Sequence, residues 1–221
     1  EKAAEALRKF AAAHASGWQI APALTMLASL QEDQGDVAGV QKTYEQLASV
    51  TAGVAEDIHV DSLLKAAGTL IKTEKFADAR GKLSELQLKL PADSPHKNKV
   101  QVYLAQCQVL GDNAAEAQQA EKQLRGLLAT SDDKPLKALA HNTLGDYYRK
   151  LKRDEDAFWE YLRVDTLYRE DRYEHSRAMY HLIQLFREVK KDADRSDSYL
   201  DQLTKDPRYA GLEYTKKAMK K

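Results

Sequence analysis

The chain has 221 residues, 43% of them apolar and 31% charged, with 34 basic side chains set against 34 acidic ones. That balance leaves no net field to recruit nucleic acid or an anionic membrane surface, and the apolar share is too large for a disordered chain. Ten glycines and five prolines are few for this length, and Val and Ile are sparse beside Ala and Leu, a bias that favours helices over strands.

In chain order, residues 2–14 read as a first helix, with Ala6, Phe10 and Ala13 on its packing face. From residue 21 onward, apolar residues recur in paired helical segments. Leu24, Leu27 and Ala28 lead through a turn at Gly35 to Val40, Tyr44 and Leu47. Leu63, Ala66, Ala67 and Leu70 lead through a turn near Thr73 to Ala79, Leu83 and Leu86, ending at Pro91. A third pair runs from Leu104 and Ala105 through Gly111 to Ala117 and Leu124. The fourth, Leu144, Gly145 and Tyr148, turns near Lys152 and continues with Ala157, Tyr161 and Val164. The fifth, Met179, Leu182 and Phe186, turns near Lys190, reaches Tyr199 and ends at Pro207. Residues 209–221 read as one more helix, which makes twelve.

The pairs begin near residues 21, 60, 98, 138 and 176, so the units are 21–59, 60–97, 98–137, 138–175 and 176–208. The junctions Ala55-Glu56-Asp57, Asp93-Ser94-Pro95, Ser131-Asp132-Asp133 with Pro135, and Glu170-Asp171 carry cap residues, first-turn prolines and N-terminal acids. These are helix-start signals. They predict a first helix of about 17 residues, about 25 Å long, in each pair. No segment suits a bilayer: the longest apolar stretch, residues 20–30, is interrupted by Pro22, Thr25 and Ser29 and is too short to span one.

The fourth unit, His141-x2-Leu144-Gly145-x2-Tyr148 followed by Ala157, Tyr161 and Val164, resembles the tetratricopeptide repeat, with His141 where the family has Trp. The resemblance implies an all-α fold over residues 1–221, a right-handed solenoid of antiparallel helical hairpins, with partial repeats or cap helices at 2–14 and 209–221. It also implies that Gly145 gives helix room against Ala157. The units here exceed the family's usual 34 residues.

Chemistry-bearing motifs are sparse. His14, His59, His96, His141, His175 and His181 show no metal-ligand spacing, and Cys107, alone of its kind, excludes an intramolecular disulfide and any multi-cysteine metal site. Cys107 has no neighbouring cation within a turn and reads as a buried structural thiol. No nucleophile-base grouping or Gly-rich phosphate loop occurs, so the chain reads as non-enzymatic, without cofactor or metal. Trp159 lies off the Ala157–Tyr161–Val164 face and is expected to pack on the next layer or stand exposed.

The family resemblance places the partner surface in the concave groove, at Lys99, Gln106, Asn142, Asp146, Arg149, Arg177, Tyr180, Gln184 and Arg187. Thr25, Ser29, Leu64 and Gly68 stand where the family's chaperone-tail binders carry a carboxylate clamp, which this chain therefore lacks. The expected function is a scaffold for a protein or peptide, with other domains of the same chain among its partners and neither nucleic acid nor direct membrane insertion. The second expectation is a structural or assembly module of a larger bacterial cell-envelope protein. It rests on the start at Glu1 without a leader and on Asp206-Pro207-Arg208-Tyr209-Ala210, which resembles junctions of periplasmic tetratricopeptide proteins; a soluble periplasmic or envelope location follows from it.

Overall fold

A computed structural model describes residues 2–14, 17–50 and 56–220. Among these the chain forms twelve α-helices and one short 3-10 turn, with no strand, and consecutive helices pack on one another. None is long and apolar enough to cross a membrane. The helices fall into two compact units, Glu1–Cys107 and Gln108–Lys221.

The first unit holds α1 (Lys2–Ala13), α2 (Ile20–Gln34), α3 (Val37–Ser49), α4 (Glu56–Lys72), α5 (Phe76–Lys89) and most of α6 (Lys97–Leu110). Its core joins Leu24, Leu27 and Ala28 of α2 to Val40, Tyr44 and Leu47 of α3 and to Ala66 of α4, the apolar periods read from the sequence. Helix α1 departs from its expected register. It buries Ala4 and Ala11, with Leu7 packed beside them, while Ala6 and Ala13 are exposed and Phe10 is half-buried against His14. An alanine-rich helix offers apolar residues on two faces, so periodicity alone does not choose between the Phe10 face and the Leu7 face that packs. Of the expected α4 start signal, Ala55 lies outside the described residues, while Glu56 and Asp57 occupy the first turn. Cys107 is buried, and burial pushes its thiol up to about 11.

The second unit contains α7 (Ala114–Thr130), α8 (Lys134–Lys150), α9 (Asp154–Leu167), α10 (Arg172–Glu188), α11 (Ala193–Lys205), the 3-10 turn Pro207–Tyr209 and α12 (Glu213–Met219). Helices α4, α8 and α10 have the expected 17 residues, whereas α2 has 15 and α6 has 14. Asp133 and Asp171 cap α8 and α10, each accepting a hydrogen bond from backbone N–H groups of the first turn.

Four hairpin turns share one backbone device, a single residue in the left-handed region: Gly35 at φ 72°, Glu74 at 59°, Lys152 at 58° and Lys191 at 55°. The sequence locates these turns to within one residue. It does not announce the conformation, because Glu and Lys carry no preference for it. The turn at Gly111 is built differently, with Asn113 capping α7 through Ala115 N and Glu116 N.

Candidate functional site

Helix α8 positions the site. Eleven of its 17 residues are buried, on every side of the helix, so its polar members have no water to turn to and must be satisfied by protein groups. His141, Asn142 and Thr143 are consecutive and together sweep most of a turn, so outward placement of all three is impossible. Thr143 returns its hydroxyl to the Leu139 carbonyl of its own helix. His141 lies 2.7 Å from Glu160 of α9 through Nδ1, under a stacked Tyr168 ring, and Glu160 also meets Arg163 at 3.1 Å.

Asn142 and Asp146 face α10. Asn142 Nδ2 donates to the Glu174 carbonyl at 2.8 Å and to Glu174 Oε2 at 2.7 Å. Arg177 donates to Asp146 and, at 3.2 Å, to Glu174. Tyr161 of α9 donates to the other Asp146 oxygen at 2.6 Å, and its ring stacks on His181 with centroids 4.7 Å apart. Two carboxylates, one guanidinium and one imidazole thus share a buried volume roofed by tyrosines.

Burial alone would raise the Asp146 carboxyl, but Arg177 and the Tyr161 hydrogen bond outweigh it and hold Asp146 below the usual carboxylate range. For Glu174 burial wins, and Arg177 and Asn142 offset it only in part, so its carboxyl is raised. Burial lowers His181 to about 4, with the Arg177, Arg149 and Lys217 cations adding to the effect against the pull of Asp146. The imidazole is therefore neutral at pH 7. Asn142 Oδ1 and Arg177 Nε are buried without a hydrogen-bond partner.

Short α12 covers this cluster. The Tyr214 ring lies 5.6 Å from both Tyr173 and Tyr180 and 6.1 Å from His181, and Tyr173 OH donates to Glu213 at 2.9 Å. Next to it, buried His175 bridges Asp165 at 2.9 Å and Tyr209 at 2.7 Å, and Tyr199 donates to the second Asp165 oxygen at 2.6 Å. This chain of contacts pins the 3-10 turn beneath α12 to α9, α10 and α11.

The nine expected partner residues are therefore distributed unevenly. Lys99 and Gln106 lie in the first unit, Lys99 paired with Asp61 at 3.0 Å and Gln106 buried. Asn142, Asp146 and Arg177 come together in the second unit, inside the cluster rather than on an open groove. Arg149 pairs with Asp154 at 3.0 Å and Glu188 at 3.5 Å, Arg187 pairs with Asp197, and Tyr180 and Gln184 are half-buried along α10. Sequence reasoning passed over Tyr161, Tyr173, Glu174, His181 and Tyr214. The available signal was the polar run Glu174-His175-Ser176-Arg177, which encircles a helix whose neighbours are apolar.

At Gly145 the nearest approach is made by an aromatic side chain of the same helix that carries Ala157. Ala157 is fully buried, but the atoms nearest to a Cβ placed on Gly145 belong to the Tyr161 ring, the closest at 2.5 Å. The glycine makes room for the aromatic residue that holds Asp146. Trp159 is half-exposed, its ring edge against Phe158 and under Lys190, its indole N–H on Glu155. Among the described residues, no cluster of His, Cys, Asp and Glu has the arrangement of a metal site.

Among the described residues the chain is all-helical, with a polar, hydrogen-bonded cluster where α8, α9 and α10 meet. Comparison with protein-family models, curated proteins and solved structures finds none that matches the chain.

Proposed function

We propose that the chain is a non-catalytic scaffold of tetratricopeptide type, which holds a protein or peptide segment against the face that α8 and α10 share. The observation that carries this reading is that Arg149 of α8, which reaches Glu188 of α10, and Tyr180, Gln184 and Arg187, at helical spacing along α10, stay at least partly exposed beside the buried Asp146–Arg177 pair. The face combines donors, acceptors, cations and an aromatic ring, the materials from which interface anchors are drawn. The ionic cluster beneath it fixes the two helices in register, so a bound segment would meet a preorganised surface.

The same cluster speaks for binding over catalysis. Its acids are engaged with Arg177, Asn142 and Tyr161 inside the fold, whereas a general acid or base needs reach to a substrate proton. Repeat type is supported by the successive hairpins and by the close approach of Tyr161 to Gly145.

Affinity capture with the intact chain as bait tests the reading. A Gln184→Ala, Arg187→Ala double variant is expected to lose the partner recovered by the parent while keeping its helical circular-dichroism spectrum and melting temperature. Full retention of that partner by the variant would place binding elsewhere.

A further inference from the structure

Asp146 stands where three helices meet, and two donors address the same oxygen of its carboxylate. Its Oδ1 accepts from the Tyr161 hydroxyl of α9 at 2.6 Å, and its Oδ2 accepts from Arg177 of α10. His181, one turn beyond Arg177 on α10, turns Nε2 toward the same Oδ1 at 3.7 Å, which is outside hydrogen-bond range. The Tyr161 ring lies nearly flat on the imidazole, at an interplanar angle of 12°. Tyr161 therefore holds the oxygen that His181 faces.

The imidazole is met by Asp146 and Arg149 from α8, Tyr161 from α9, Arg177 and Tyr180 from its own helix, and Tyr214 and Lys217 from α12. The three cations are turned to carboxylates of their own: Arg149 to Asp154 and Glu188, Arg177 to Asp146 and Glu174, Lys217 to Glu213. Asp146 is the carboxylate within ion-pair distance of the ring nitrogen. Burial and the Asp146 charge push the Tyr161 phenol well above its ordinary value, so it stays a donor throughout. Burial favours a neutral Asp146, but Arg177 outweighs it, so this carboxylate stays an acceptor. The imidazole is the member of the trio that changes form, and on protonation both its nitrogens become donors.

From this shared oxygen we propose that His181 is a proton-operated switch: on protonation its Nε2–H takes Asp146 Oδ1 from the Tyr161 hydroxyl, and the carboxylate passes from the α8–α9 hairpin to the seam between α8 and α10. At neutral pH, Tyr161 ties α9 to α8 through Asp146. In acid the same carboxylate carries two bonds to α10, one from Arg177 and one from His181. A bond between two charged groups is stronger than one from a neutral phenol, and closing the gap takes about 1 Å of side-chain movement. The displaced Tyr161 hydroxyl is the cost, and it confines the switch to acid, in keeping with the low value to which burial and the neighbouring cations bring His181. The seam joins the two helices that carry the proposed partner face, so acid re-spaces that face, but the switch itself requires no partner.

A histidine-resolved NMR titration of the intact chain, with the His181 signal assigned by His181→Phe, tests the switch in the parent and in Tyr161→Phe, which keeps the stacked ring and removes the competing hydroxyl. Competition predicts that His181 in Tyr161→Phe takes up its proton at an about tenfold lower proton concentration than in the parent. It also predicts, in the parent alone, that the Tyr161 Cζ signal moves at the His181 midpoint. An unshifted midpoint in Tyr161→Phe, or a Tyr161 signal indifferent to the titration, overturns the proposal. Where acid unfolds the chain before His181 titrates, urea unfolding at pH 7 and pH 5 reads the same exchange. The loss of stability on acidification should then be smaller in Tyr161→Phe than in the parent, because its folded imidazole titrates closer to the unfolded value. An equal loss, or the same reduction when Tyr161→Phe is placed in the His181→Phe background, overturns it as well.

Discussion

Gly145 and His181 act on the same ring from different sides. A methyl group on Gly145 would stand 2.5 Å from Tyr161, and the ring cannot slide away, because its hydroxyl holds Asp146 and its face carries His181. Gly145→Ala is therefore expected to destabilise the protein by about 1–3 kcal/mol through overpacking, despite the better helix propensity of alanine; denaturant unfolding measures it. His181 adds a pH dependence of definite sign. Its folded value of about 4 lies below the ordinary imidazole value of 6.5. The unfolded chain therefore takes up the proton first as pH falls, and stability declines between those two values. Unfolding at pH 7.5 and pH 5 should differ by roughly 2 kcal/mol from this group, and His181→Phe, which keeps the stacked ring, should remove that part of the difference. Glu174 has the opposite sense: its raised carboxyl weakens the fold as pH climbs from the unfolded value through the folded one.

At the scale of elements, the hairpin turns set the repeat. Left-handed residues at 35 and 74, and again at 152 and 191, stand 39 positions apart. Only the first is glycine. Glu74, Lys152 and Lys191 are exposed, and an L-residue in this conformation is strained by about 1–2 kcal/mol. Lys152→Gly and Lys191→Gly should each raise stability by up to about 1 kcal/mol, the strain relieved being partly cancelled by the unfolded-state entropy of glycine. Thermal melting of the single variants checks this, and the double variant reads any coupling through the Lys190–Glu155 ion pair that links the two turns.

For the whole molecule, the helical class, the hairpin pairs and most of the apolar positions named from the periodicity were legible in the sequence, because apolar periodicity and cap residues act locally, although Leu63 and Leu104 lie half-buried and Leu64, expected on the groove, is buried. Leu24, Ala66, Leu83, Leu144 and Met179 are buried as their spacing demands. The candidate site was legible only in part. Asn142, Asp146 and Arg177 were legible as polar residues of helices α8 and α10 expected to line a groove, but their burial and their meeting with Glu174 and Tyr161 depend on how α8, α9 and α10 pack, and no local pattern encodes it. The alanine-rich α1 misled for the converse reason, having apolar residues on two faces. The placement of the cluster also limits how far the repeats behave as interchangeable parts. The Asn142–Glu174 bonds lie within residues 138–175, whereas Arg177–Asp146 and Tyr209–His175 cross the boundary at 175–176. A chimera cut at that boundary would strand Asp146 and Glu174 in one parent and their guanidinium in the other. The last two hairpins are thus inherited together or not at all.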